Sequence, residues 1–456
     1  MRKMKKSSII ILISLVLVVF FTWFFMVLFE GEKPKADIEP LPEYIKGEFE
    51  FDIEASDQKT GLRNIKVSLR QDGPTIPVFE KKFSHKGAFN KKGTHSYQEK
   101  FTISPKKFGL FQGQVNLTIE IHDFSKRRGG DGNLTIIDHK MIVDTIRPSI
   151  AAITKSHNIN IGGSGLIIYK TSLDTSESGV FVNDMFFKGA PFTQDGKGIF
   201  VCYFALPFDG GKDSRLYLWA RDSAGNEKKN NFYYHIRGRK FRQDNIRVTD
   251  KILEKIINSF SPDIFEGEKT DVEKYLFLNK KIREENHAFL KELCQNPTDE
   301  KLWDNVWIRM KNAATMATFG DERKYFYNGD FIDKKFHLGI DLASLAMSPV
   351  QASNNGKVIY AQDLGIYGQT VVIDHGQGLY TIYGHLSEID VNDGQIVKKG
   401  DAIGLTGSTG LATGDHLHFG FLIQGIPVNP IEWWDAHWIK DNIDRKIDRV
   451  SKILEK

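Results

Sequence analysis

The chain has 456 residues, room for roughly three domains. Its 41% hydrophobic and 26% charged content is ordinary for globular protein, and a formal charge of +4 over this length gives no case for nucleic-acid binding. The chain opens MRKMKK, with Arg2, Lys3, Lys5 and Lys6, and then runs apolar from Ile9 to Phe29 apart from Ser14 and Thr22. That is about 21 residues, enough to cross a hydrocarbon core of roughly 30 Å. A secretory h-region is shorter, at about 7–15 residues, and ends in a small-x-small pair. This run instead exits through FEGEKPKAD, so it predicts an uncleaved anchor, not a signal peptide or a buried helix. Positive-inside bias places a basic tail, 1–8, in the cytoplasm and everything after about Glu30 outside. The expected location is the inner (cytoplasmic) membrane, single-pass, with the bulk of the chain in a periplasm or outside the cell.

Residues 30–46 are charged and proline-bearing and read as a linker. Short β-rich runs with frequent turn signals then predict a β-sandwich over 47–146 and a second over 147–247. The segment WARDSAGNEKKNNFYYHI resembles a strand–turn–strand of bacterial immunoglobulin-like modules. Spacing the rest of the chain from the membrane, or docking a partner, is the expected role of both. Residues 248–313 change character. Ile252, Ile256, Ile257 and Phe260 recur at helical spacing behind Thr249-Asp250; a second helix begins at Val272 and runs to about Leu293; a third is expected over DEKLWDNVWIRM. This insert is read either as a connector or as a cover over the neighbouring site. As a cover, its deletion over Asp250–Lys311 is expected to raise activity. The tail 435–456 reads as an amphipathic helix carrying Ile439, Ile443, Ile447, Val450, Ile453 and Leu454. The two cysteines, Cys202 and Cys294, fall in different segments, and their spacing predicts no disulfide.

The chemistry lies in 314–434. GDHLHFG places His416 and His418 two apart, so that in a strand both imidazoles face one space. Upstream, FHLGIDLAS holds His337 and Asp341, four apart, an even spacing that puts both on one face of a strand. Three of these four groups would make a His/Asp/His metal site with an open position, and the fourth would be left as an acid or base. Between them LYTIYGHLS carries His385, followed by the glycine-rich GQIVKKGDAIGLTGSTG. His375, in VVIDHGQGLY, reads as the end of a strand and a structural residue, and His437 falls outside the site.

HLGIDLAS, YGHLS, VKKGDAIGLTGSTG and HLHFG, in this order and spacing, resemble the lysostaphin-type (LytM-domain) zinc endopeptidases, over roughly Thr318 to Trp434. The resemblance implies a small antiparallel β peptidase domain, so the expected fold is mainly β: an anchor, two sandwiches, a helical linker and this domain. It implies one zinc ion per chain, with His337, Asp341 and His418 as ligands, and His385 and His416 as catalytic histidines outside the ligand set. It also implies peptidoglycan as substrate, with hydrolysis of stem or cross-link peptides by zinc-activated water and histidine acid/base chemistry. Which histidine takes which proton stays open, and Tyr325 or Tyr327 would add an oxyanion donor. A protein activator or regulator is compatible with this reading. The competing readings are a non-catalytic envelope scaffold or amidase activator on the same fold, and a protease of exported proteins.

Overall fold

The computed structural model describes residues 6–193, 198–265 and 267–455. Met1–Lys5 of the expected basic tail lie outside the described residues. The apolar run forms α1 (Lys6–Leu28), and its stretch Ser7–Leu28 of 22 residues is long and apolar enough to cross a membrane. The chain divides into two compact units: residues 1–147 with 223–226, and residues 148–222 with 227–456.

In the first unit, sequence alternation becomes a core. Val115, Leu117, Ile119 and Ile121 alternate along the Gly113–Asp123 strand, and each is fully buried. That strand is central to a five-stranded sheet. A three-stranded sheet built on Phe49–Ser56 contributes Phe51, Ile53 and Phe101 to the same core.

The second unit begins with two four-stranded sheets, one built on Ser164–Thr171 and Ile199–Ala205, the other on Thr175–Val182 and Leu216–Asp222. Their core does not close on itself. Leu166, Tyr203 and Phe204 share one hydrophobic cluster with Trp303, Trp307, Phe421, Trp433, Ile439 and Ile443 from the C-terminal region. The tail supplies part of that contact, through α6 (Ala436–Ile439) and α7 (Arg445–Leu454), with Ile439, Ile443 and Val450 buried. Labels α2 to α5 denote Asp250–Ile257, Asp271–Phe277, Arg283–Leu293 and Ile431–Trp434.

The expected third helix is absent: Leu302–Met310 is irregular chain. Trp303 and Trp307 sit four apart, which mimics a helical face. Burial decides otherwise. The two indoles lie 4.5 Å apart, Trp307 lies 4.8 Å from Trp433, and Trp433 stacks on Phe421 at 4.4 Å. Aromatic faces of this size gain more from filling the seam between sheets than a short helix would return.

The other two helices form where expected. Thr249 caps α2 by accepting from the Ile252 amide, and Thr270 with Glu273 makes a capping box at α3. A π-helical turn, Leu278–Ile282, joins α3 to α4. This segment packs on a three-stranded sheet in which Gln243–Val248 runs parallel to Glu322–Tyr327, and Glu322–Tyr327 antiparallel to Asp330–Phe336.

The larger C-terminal sheet is antiparallel, with central order Ala314–Ala317, Ile340–Ala343, Leu417–Ile423, Leu379–Ile389, Gln369–Asp374 and Gly356–Asp363. The fold is thus mainly β. Cys202 and Cys294 are free and buried.

Candidate metal centre

The site is built where two central strands meet. Asp341 on Ile340–Ala343 stands directly opposite His418 on Leu417–Ile423. His337 is not on the Asp341 strand, as the even spacing suggested. It follows the Asp330–Phe336 strand and reaches Asp341 across the Leu338–Gly339 link. The proximity is real, but an irregular link with a bend at Gly339 makes it, not a strand face.

Three donor atoms converge. His337 Nε2 lies 2.9 Å and His418 Nδ1 3.0 Å from Asp341 Oδ1, and the two nitrogens are 3.1 Å apart. All three residues are buried. Among the described residues they form a group able to hold a metal ion. Two imidazole nitrogens and one carboxylate oxygen are a donor set that suits zinc.

The atoms behind the donors agree. His337 Nδ1 donates to the Thr318 carbonyl at 3.1 Å, which fixes the tautomer that leaves Nε2 bare. Asp341 Oδ2 accepts from Arg323 Nη2 at 2.8 Å, which leaves Oδ1 facing the histidines. His418 is seated over Gly339, where any Cβ would come within 2.6 Å of its Nε2. Burial pushes the Asp341 carboxyl up, but the adjoining imidazoles, His337 first and then His418, outweigh it and hold the group well below the usual carboxylate range. Burial also pushes His418 down to about 4, so it is neutral at pH 7, as a ligand must be.

His385 and His416 stand beside this triangle, their rings 4.8 Å apart. A β-bulge aims the first. Between Tyr383 and Leu386 the strand carries one residue more than its partner, and His385 adopts φ 63°, the left-handed region. Its Nδ1 donates to the Thr409 carbonyl at 2.8 Å. His416 Nδ1 donates to the Gly414 carbonyl at 2.9 Å, and its Nε2 lies 3.6 Å from Asp341 Oδ1. Each ring is therefore left with an Nε2 lone pair. Burial, then the neighbouring His416 and His418, push His385 well below the ordinary imidazole range.

A cleft of about 590 Å³ opens above all five residues. Ile252, Ile256, Tyr275, Asn279 and Arg283 of the helical segment form its opposite wall. Tyr325 borders the cleft; Tyr327 does not, and donates instead to Asp250 at 2.8 Å. His375 is fully buried between the Asn355 carbonyl and Thr381 Oγ1, a structural residue. Arg323, Arg283 and Tyr367 went unnoticed in the sequence. Tyr367 packs 5.4 Å from His418. The one signal for it is the Gly365/Gly368 pair around it, which lets that turn press against Asn286 at Gly365 and against Thr409 at Gly368.

Residues 335–430 match peptidase family M23. The C-terminal region is an M23 peptidase domain. Over 97 residues the chain is 43% identical to the DD-carboxypeptidase/endopeptidase Mpg of Neisseria meningitidis serogroup B, covering 21% of this chain and 22% of that protein. Over 96 residues it is 43% identical to the peptidoglycan DD-endopeptidase ShyA of Vibrio cholerae, with the same coverages of 21% and 22%. The chain thus spans about a fifth of the length of these curated relatives. Among solved structures, the catalytic domain of lysostaphin from Staphylococcus simulans matches at 28% identity and a TM-score of 0.24, covering 27% of this chain and 92% of that one. The M23 match contains His337, Asp341, His385, His416 and His418.

Proposed function

We propose that this protein is a zinc metallo-endopeptidase that hydrolyses peptide bonds in the stem or cross-link peptides of bacterial peptidoglycan, held at the membrane by α1 with its N-terminus in the cytoplasm. The observation that carries the reading is the division of labour among five side chains. His337, Asp341 and His418 turn bare donor atoms toward one point, while His385 and His416 each tie Nδ1 to a carbonyl and keep a free Nε2 beside it. A binding scaffold needs the fold but not these five groups, three of them with a tautomer set by a carbonyl.

A zinc ion held by His337, Asp341 and His418 supplies Lewis acidity toward a peptide carbonyl and acidifies attacking water. The chain's own residues supply the rest. An Nε2 of His385 or His416 accepts the proton of the attacking water, and returns it to the leaving amine. The Thr409 and Gly414 carbonyls hold these rings in the accepting tautomer and stabilise the imidazolium that forms. Arg323 holds Oδ2 of the Asp341 carboxylate and leaves Oδ1 turned toward the histidines.

The test is digestion of purified peptidoglycan by residues 30–456, beside His418→Ala and a chelator control. New amino and carboxyl termini in the fragments, lost in both controls and restored by added zinc, are expected. Intact peptidoglycan after incubation with folded, zinc-loaded protein would move the reading to a wall-binding scaffold.

A further inference from the structure

Three arginines border the cleft: Arg242, Arg283 and Arg323. Two are neutralised within the protein. Arg242 Nε meets Asp244 Oδ1 at 2.7 Å, and Arg323 Nη2 meets Asp341 Oδ2 at 2.8 Å. Arg283 has no carboxylate within ion-pair distance among the described residues, although it is partly buried.

Arg283 is nevertheless fixed. Its Nε donates to the Asn279 carbonyl at 3.3 Å and to Asn279 Oδ1 at 3.2 Å, and its Nη2 donates to the same Oδ1 at 2.8 Å. Asn279 is itself buried, and its Nδ2 donates to Asp333 Oδ2 at 2.8 Å. Asn279 lies in the π-helical turn Leu278–Ile282, a backbone irregularity that recurs at functional positions, and Arg283 follows it directly as the first residue of α4. The guanidinium is therefore oriented by neutral acceptors, with Nη1 left over and no carboxylate paired to it among the described residues. That charge is felt nearby: burial first, then Arg283, pushes His287 down to about 4. A planar, preorganised cation in a cleft wall matches a carboxylate, which it can grip through two parallel hydrogen bonds.

We propose that Arg283 is the anchor for a carboxylate of the peptide substrate, so that the helical segment forms a recognition wall of the cleft. This rests on the peptidase reading above. A cross-linked stem peptide offers two such groups, the terminal α-carboxylate and the side-chain carboxylate of a diamino diacid, and the chemistry of recognition is the same for both.

Synthetic stem-peptide dimers in three forms test it: both carboxylates free, the terminal one amidated, and the side-chain one amidated. Each is given to the full zinc-loaded chain in detergent for cleavage, and to the chelator-treated chain for calorimetric binding. Wild type should favour one carboxylate over its amide, which names the source, by roughly 10- to 100-fold in KM and Kd. Arg283→Gln should lose that preference while cleaving the amidated form as wild type does. Arg283→Lys should recover part of it, and thermal melting should report whether each variant folds. Equal treatment of all three dimers by wild type, or a loss in Arg283→Gln that is the same for free and amidated forms, overturns the anchor. Failure of wild type to bind any dimer overturns it as well. Selective binding without cleavage keeps the anchor and sinks the peptidase reading instead.

Discussion

Gly339 is where the smallest change should do measurable harm. Its backbone is not left-handed, so alanine meets no conformational penalty there, and the effect reduces to one methyl group. That methyl would lie 2.6 Å from both Cε1 and Nε2 of His418 and 2.7 Å from the Phe419 carbonyl oxygen. Ordinary contact starts at 3.4 Å, so the two contacts are relieved only by a shift of about 0.8 Å (3.4 − 2.6) between the imidazole and residue 339, together with a backbone shift of about 0.7 Å (3.4 − 2.7) away from the Phe419 carbonyl. Metal–ligand distances tolerate about 0.2 Å, so the displacement exceeds that tolerance severalfold. Gly339→Ala is therefore expected to weaken zinc binding by about 10- to 100-fold, the range seen when a ligand's support is disturbed. The associated folding cost is about 1–3 kcal/mol for overpacking. Competition against a chromophoric chelator measures the first and urea unfolding of the zinc-free protein the second. Gly47→Ala, whose added methyl meets nothing within 4 Å, serves as control. Unchanged zinc affinity in folded Gly339→Ala protein would refute both the seating of His418 and its assignment as a ligand.

Three further outcomes are expected. His385→Ala should lower kcat by about 10²- to 10⁴-fold with zinc content unchanged, because its ring is outside the donor triangle; loss of zinc in parallel would make it a ligand. Trp307→Ala should destabilise the second unit by about 3–5 kcal/mol in urea, since the indole fills the seam between the second β section and the M23 domain; a change below 1 kcal/mol, on the order of a surface substitution, would contradict that packing. His375 is fully buried, and burial pushes it down to about 4 from 6.5. The unfolded chain then binds its proton first as pH falls, so this residue's share of stability is complete above pH 6.5 and is lost progressively down to about pH 4, some 2 kcal/mol of it by pH 5. His375→Asn should flatten the fall in unfolding free energy between pH 7 and pH 5; an identical fall in wild type and variant would disprove the linkage.

How much of this was legible can be judged residue by residue. α1 is readable because length and apolarity alone decide whether a helix can span a bilayer. The cap at Thr249 is readable because it acts within a few residues of chain. The third helix failed for the opposite reason. Trp303 and Trp307 have helical spacing, and only the arrival of Trp433 and Phe421, more than a hundred positions away, shows that they are spent on a core. The same fact undercuts deletion of Asp250–Lys311 as a test of a cover, because the deletion would empty that core along with uncovering the cleft.

The sequence by itself determined which side chains could do chemistry here. Two imidazoles two apart, a histidine and an aspartate four apart, and a lone histidine before a glycine-rich loop are local patterns, and donor chemistry is a property of residue type. Only the tertiary structure decided how they work. The irregular Leu338–Gly339 link brings His337 to Asp341, and a bulge turns His385 inward. The tautomers follow from carbonyls at Thr318, Thr409 and Gly414. Arg323 behind Asp341, and Arg283, with no carboxylate partner among the described residues, come from strands and helices that no local pattern links to the histidines. Ligand identity is carried by covalent structure. Orientation, protonation and the shape of the cleft are set by contacts between distant segments, which exist only once the chain has folded.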